Sequence, residues 1–211
     1  MLSIYPQLLH ANSAQHLKLK ASGPSKTIKT EERKSEVINI AHRLFETRGY
    51  EAVGVREIAK EAGISPMQVY RLGLDKQDLL AEVILIVNQE IIDAIKPFVA
   101  GKSKTAADYI ERYLLDLYAK DIAIKSIRKE GAAFGWKWST NYEQFIIAQL
   151  MQILKPISDC LTHYQYDDIE ARCYAIWSLY YVGYRNAVMN NASAAQCLEG
   201  IRPSLSICLK K

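Results

Sequence analysis

The sequence predicts an all-α protein. Three observations lead there: apolar residues recur at helical spacing in one segment after another, Gly and Pro punctuate those segments, and side chains able to cap a helix precede them. With 211 residues, 49% hydrophobic and 24% charged, the chain can bury one sizeable core, or a small domain beside a larger one, which excludes disorder and fibrous repeats. The longest nearly continuous apolar stretch, Ala81 to Val87 with Glu82 inside it, is far short of the ~20 residues that span a bilayer. No membrane helix is expected.

Residues 1–28 read as a basic, disordered arm. Lys18, Lys20, Lys26 and Lys29 occur in the first 30 residues without a single acid, so the net charge of +4 is accounted for there and the rest sums to zero. A solvated leader explains this, as does a tail that follows DNA phosphates or enters a minor groove. The absence of an early Lys or Arg, Pro6 inside the apolar patch and the lack of a small-residue cleavage site argue against a secretory signal. The acid-free composition faintly resembles a transit peptide, a minor alternative to a cytoplasmic protein.

A first helix is expected from a Thr30 cap, with Glu31 and Glu32 at the positive end of its dipole and Val37, Ile40, Ala41, Leu44 and Phe45 on one face, closed by Gly49. A second, short helix carries Val55, Ile58, Ala59 and Ala62 and ends at Gly63. Ser65, Pro66 and Gln68 then stand in register as cap, first helical residue and N3 partner of a capping box. The third helix runs from Pro66 to about Leu72, before Gly73. Asp75 caps a fourth, with the ridge Leu80, Ile84, Val87, Ile91 and Ile95, ending by Pro97. Two short helices joined by the tight turn Gly63, Ile64, Ser65, braced by a longer one, follow the plan of a helix-turn-helix DNA reader, although helix pairs with Gly turns also occur in other all-α proteins.

Residue identity narrows the choice. The order and spacing of Ala41, Leu44, Phe45, Gly49 and Tyr50, of Val55, Ile58, Ala59, Ala62 and Gly63, of Ser65, Val69, Tyr70 and Arg71, and of Lys76, Asp78, Leu79 and Leu80 resemble the amino-terminal DNA-binding domain of the tetracycline-repressor (TetR) family. The resemblance covers about a quarter of the chain, from Lys29 to Leu80. It implies a three-helix reading domain at residues 29–76 and a larger helical ligand-binding and dimerisation domain at 77–211. The chain departs from the family where Tyr, any residue, His, Phe is usual: it reads Tyr70, Arg71, Leu72, Gly73, which removes a phosphate donor and an aromatic plug that Leu72 and Leu74 must replace. Gly54 also stands where a Ser or Thr often caps the second helix.

By the same resemblance, Arg56, Pro66, Met67 and Gln68 face the major groove. Gln68 matches adenine N6 and N7, the forks of Arg56 or Arg71 match guanine O6 and N7, and Met67 offers apolar contact to a thymine methyl. Tyr70 and Lys76 correspond to phosphate-holding positions, with backbone N–H groups beside Lys76. In any other setting Arg56 and Lys76 would be ordinary solvated side chains.

Beyond Pro97, capping signals at Thr105, Thr140 with Glu143, Asp167 with Glu170, and Ser193 with Gln196 divide the chain into further helices, and most of its aromatic residues lie between 109 and 184. Core packing accounts for most of them. The resemblance implies that some line an effector pocket, for which Tyr109, Tyr113, Phe134, Trp136, Trp138, Tyr142, Phe145, Trp177 and Tyr181 are the candidates. Trp136 and Trp138, at i and i+2 after Gly131 and Gly135, cannot share one helical face and suit a loop or a helix start. Cys173 to Gly183 is apolar nearly all round, and Gly183 with Ala187 permits close approach of another helix. With the stripe Cys197, Leu198, Ile201, Leu205 and Leu209, the last two helices could form the isologous four-helix interface of a homodimer. Pro203 should kink or split the last of them.

The expected function is therefore a sequence-specific DNA-binding regulator, a repressor released from a palindromic double-stranded operator by a small apolar or aromatic effector. The alternative is an architectural or partner-binding DNA-associated protein of this fold without a ligand response. No catalytic cofactor or metal is expected: His10, His16, His42 and His163 are isolated, and Cys160, Cys173, Cys197 and Cys208 form no CxxC pair, so reduced thiols dispensable for switching are the default. No nucleophile motif or phosphate-cradling loop suggests an enzyme.

Overall fold

The computed structural model describes residues 24–133 and 140–211, with side chains described over 28–129 and 141–211. All regular structure among them is helical. Helix α1 spans Pro24–Arg48, beginning six residues before the expected Thr30 cap. No Gly interrupts residues 24–30, and Pro24 occupies the first position, where its missing N–H costs nothing. The end of the expected arm is thus helical, and residues 1–23 lie outside the described residues.

Helix α2 covers Val55–Glu61 and α3 Pro66–Arg71. Gly54 serves as the N-cap of α2 through its extended backbone alone, without a side-chain bond. Ser65 and Gln68 form the expected capping box on α3. Helix α4, Lys76–Ala94, opens on a second box, in which the Asp75 carboxylate accepts from the N–H groups of Gln77 at 2.7 Å and Asp78 at 2.8 Å. The ridge Leu80, Ile84, Val87 and Ile91 is buried, and Ile95 lies just past the helix, partly exposed.

Two compact units divide the chain. The first contains α1 to α3, α4 as far as Ile86 and the segment that ends at Met151; the expected boundary at residue 76 instead falls on the first residue of α4. Its core is Val37, Ala41, Phe45, Val53, Ile58 and Val69, all at 0% exposure but drawn from three helices and the turn before α2.

The second unit takes α4 from Val87, then α5 (Ala106–Ala123), α6 (Lys125–Ala133), α7 (Glu143–His163) from Gln152, α8 (Ile169–Asn190) and α9 (Ala194–Cys208). The boxes Thr105 with Asp108 and Ser193 with Gln196 start α5 and α9. Thr140 begins a short 3-10 turn, and α7 follows it from Glu143. The cap expected at Asp167 is absent. The turn bends through Gln165 and Asp168 at positive φ, so Asp167 supplies its carbonyl to Arg172 Nε at 2.8 Å instead of capping α8 with its carboxylate.

Two further expectations about the last helices are corrected. Helix α9 runs unbroken through Pro203, because Pro203 and Glu199 are both exposed and water can satisfy the one carbonyl that the ring leaves without a partner. The stripe Cys197, Leu198, Ile201 and Leu205 is buried within the chain, where α9 packs on α8 and α5, so it is not free for a second copy. Gly183 likewise admits a neighbour from its own chain: a Cβ there would run into the Tyr118 hydroxyl of α5. That hydroxyl donates to the Tyr180 carbonyl at 3.2 Å.

Candidate functional site

The reading helix is a six-residue element whose two ends are closed by separate devices. At its start, the Ser65 Oγ accepts from the Gln68 N–H at 3.3 Å, while Gln68 Oε1 accepts from the Ser65 N–H at 2.8 Å. At its end, Leu74 N–H donates to the Val69 carbonyl at 3.3 Å and Gly73 N–H to that of Tyr70 at 3.0 Å, with Gly73 at φ +75°. This is a Schellman stop, and its usual hydrophobic contact is met by Leu74, which is 1% exposed. The departure from the family pattern is thereby explained: Gly73 takes the left-handed position and Leu74 supplies the buried plug. The same device closes α2, where Ile64 N–H reaches the Ala59 carbonyl at 3.0 Å behind Gly63 at φ +65°.

These closures leave one face of α3 in solvent. Met67 is 60% exposed and Tyr70 52%, with Gln68 and Arg71 also exposed and Pro66 half-buried. Arg56, in the first turn of α2, is exposed too. The acids of α2 do not compete for DNA as free charges, because Glu57 pairs with Arg48 and Glu61 with Arg43 of α1. Gln68 has two tasks: its Oε1 holds the box, but a carbonyl oxygen has a second lone pair and the amide N–H groups remain available to a base. Lys76 lies with Nζ 4.3 Å above the Tyr50 ring, a cation–π seat that positions it. The backbone N–H groups expected to help it are largely taken. Asp75 holds two of them, so a phosphate here would meet Lys76 itself rather than a free helix end.

Residues 37–83 match the sequence profile of the family described as bacterial regulatory proteins, tetR family. The chain carries a TetR-family DNA-binding domain. Comparison with curated proteins gives no match. Among solved structures, a TetR transcriptional regulator from Rhodococcus sp. RHA1 superposes with a TM-score of 0.58 at 14% identity, over 88% of this chain and 98% of that one. FadR from Bacillus subtilis, in complex with stearoyl-CoA, gives 0.59 at 16%, over 83% and 97%. A TetR-family regulator from Streptomyces coelicolor gives 0.55 at 19%, over 84% and 82%. The TetR fold therefore extends through the second unit.

In TetR terms the second unit is where an effector would be sought, and the expected pocket residues fall into three groups. Tyr109 and Tyr113 stack with centroids 6.0 Å apart; Phe98 packs edge-on against Tyr109 at 4.9 Å, and the Tyr113 hydroxyl donates to the Ile153 carbonyl at 2.5 Å. Burial pushes the Tyr109 hydroxyl up to about 12. Trp177 lies against Tyr180 and Tyr181 against Tyr184, with Tyr118 stacked on Tyr180 at 5.2 Å. Tyr142 and Phe145 belong to the first unit. There the Tyr142 hydroxyl donates to Glu82 at 2.9 Å, an acceptor that also pairs with Lys34 of α1 at 2.8 Å, while Phe145 is 47% exposed. Phe134, Trp136 and Trp138 lie outside the described residues. An open groove of about 950 Å³ runs along α1, lined by Ile28, Ile40 and Arg43 as well as by Glu31, Glu32 and Glu36, all of them residues of that one helix.

Sequence reasoning missed one constellation. Asn88 of α4, Asp121 of α5 and Arg128 of α6 form a buried polar cluster with the hydroxyls of Tyr180 and Tyr184. The available signal was Asn88 itself, an amide beside Val87 and one turn after Ile84 on the otherwise apolar buried face of α4.

Proposed function

We propose that this TetR-type regulator is a homodimeric repressor that binds a near-palindromic operator and is released by a small, uncharged, largely apolar or aromatic effector. The observation that carries the reading is the α2–α3 pair, whose exposed Arg56, Met67, Gln68, Tyr70 and Arg71 are backed by an apolar core and neutralised acids. Arg56, Gln68 and Arg71 are assigned to base edges, with Pro66 and Met67 in apolar contact, and Tyr70 and Lys76 to phosphates. Two copies of a reading helix related by a twofold axis call for a palindromic site.

For the dimer, the exposed side of α8 replaces the buried α9 stripe: Tyr174, Tyr181, Val182 and Met189 are 38–53% exposed there, and Ile207 of α9 is 66% exposed. Helix α4 passes unbroken from the reading unit into the second, which makes it the transmitter of effector binding. The complex of the structurally similar FadR from Bacillus subtilis with stearoyl-CoA supports an effector with an apolar part. No helix among the described residues is long and apolar enough to cross a membrane.

The satisfied hydroxyls of Tyr113, Tyr118, Tyr180 and Tyr184 favour a second reading, an architectural protein without effector. Operator selection from random DNA, light scattering and a salt titration test the first. It predicts a dimer, a palindromic consensus and affinity that falls by about 0.9 log units per phosphate contact for each tenfold rise in salt. A monomer that binds a half-site as tightly as the full site would overturn it.

A further inference from the structure

Asn88 and Asp121 are the only polar or charged side chains buried outright among the described residues, at 0% and 1% exposure. Arg128 stands between them. Its Nη1 donates to Asn88 Oδ1 at 2.7 Å, and since a guanidinium only donates, Asn88 must present its oxygen to Arg128 and turn its amide nitrogen the other way. That nitrogen has no hydrogen-bond partner. A fully buried N–H2 group left without an acceptor is costly, and few persist in folded proteins without a bound water, ion or ligand to meet them.

The charge of Arg128 is already balanced. Asp121 Oδ1 lies 3.1 Å from Nε, off the N–H axis, so the two form an ion pair without a hydrogen bond. The other carboxylate oxygen accepts from the Tyr180 hydroxyl. Burial pushes the Asp121 carboxyl up, while Arg128 and the Tyr180 hydroxyl hold it down. The Arg128 carbonyl accepts from the Tyr184 hydroxyl. Around this centre stand the rings of Tyr118, Trp177, Tyr180 and Tyr184. A second anion here would be an uncompensated charge in a protein interior, whereas a neutral acceptor adds none and satisfies the free amide.

We propose that Asn88 is the polar anchor of the effector, and that the effector is an uncharged molecule carrying a carbonyl-type acceptor on an apolar or aromatic body rather than a free carboxylate. This rests on the sensor reading above and narrows it. The acceptor takes the two N–H groups of Asn88 Nδ2, the aromatic rings receive the apolar body, and the Arg128–Asp121 pair stays closed.

Three matched probes test it on the full-length protein: methyl 3-phenylpropanoate, 3-phenylpropanoate and butylbenzene, with binding followed by calorimetry at neutral pH. The ester should bind about tenfold more tightly than either of the others, as expected of one added hydrogen bond. In Asn88→Leu, and in Asn88→Asp, which keeps an oxygen for Arg128 but loses the donor, the advantage of the ester over butylbenzene should fall to within about twofold. A carboxylate that binds best, an ester no better than the hydrocarbon, no binding by any probe, or an advantage that survives both substitutions would overturn the proposal; the last would mean that a group other than Asn88 meets the acceptor. If neither variant folds, the native ranking of the three probes still decides. DNA binding separates the two readings: an ester that binds through Asn88 yet leaves operator affinity unchanged defeats the sensor and leaves the anchor standing, while release of DNA that is indifferent to Asn88 does the reverse.

Discussion

In α1 to α3 no charged or amide side chain is buried outright, whereas α4, α5, α6 and α8 enclose Asn88, Asp121, most of Arg128 and the hydroxyls of Tyr118, Tyr180 and Tyr184. The reading helices are shaped by bonds between residues two to five apart in sequence: the Ser65 and Asp75 boxes and the stops at Gly63 and Gly73. The second unit has local boxes of its own at Thr105 and Ser193 but adds bonds between residues far apart in sequence, such as Tyr113 to Ile153, 40 apart, and Tyr118 to Tyr180, 62 apart. A local capping bond adds order at little cost in loop entropy, while a bond across the fold forms only once the chain is already compact. The contrast predicts that single substitutions cost more in the second unit than in the first.

The largest effect is expected for Asp121→Leu. It leaves the Arg128 guanidinium buried without its counter-charge, and the loss should be about 3–5 kcal/mol. Chemical denaturation of the full chain measures it, and a loss below 1 kcal/mol would mean that Arg128 finds water. Next comes Gly183→Ala, whose new methyl must displace the Tyr118 ring; overpacking of this kind costs about 1–3 kcal/mol. Adding Tyr118→Phe should recover part of it, because the hydroxyl is the nearest obstacle.

Within the reading unit, Ser65→Ala and Gly73→Ala should each cost about 1 kcal/mol, the first through the lost cap and the second through a non-Gly residue at positive φ in otherwise open space. Should either match Asp121→Leu, the contrast between the units would fail. The smallest effect is absent at neutral pH. Burial pushes the Cys160 thiol up to about 12 and that of Cys173 to about 11. Above about pH 9 the unfolded chain releases these protons and the folded chain keeps them, so stability should decline as pH rises through that range. Replacing both by Ala should flatten this alkaline decline in a series of melts, and an unchanged slope would place its source in the tyrosines.

The same contrast explains what could be read from the residues beforehand. Ser65, Pro66, Gln68 and Gly73 state the bounds of α3 within nine positions, so the reader and its solvent face were legible. At Thr30 the sequence offered a good cap, but nothing between Pro24 and Thr30 prevents an earlier start. The pocket candidates were chosen by residue type, which says that Tyr142 has an apolar ring and not that its hydroxyl meets Glu82. The α9 stripe identified a buried face correctly in kind, yet periodicity does not say whether that face meets the same chain or a copy. The partnership of Asn88, Asp121 and Arg128 joins three helices and has no local pattern to reveal it.

The closure of α3 carries an evolutionary consequence. The fold of this helix depends on Ser65, Pro66, Val69, Gly73 and Leu74, none of which is an exposed base-contact candidate except the half-buried Pro66, while Met67, Tyr70 and Arg71 take no part through their side chains in either end. Of these, the base-facing positions 67 and 71 can drift under selection for a new operator without disturbing the scaffold. Gln68 cannot drift so freely, since any replacement must serve both the Ser65 N–H and the base. Paralogues that have acquired new target genes should therefore diverge first at 67 and 71, keep the phosphate contact at 70, and change 68 only to residues such as Glu that can still close the box.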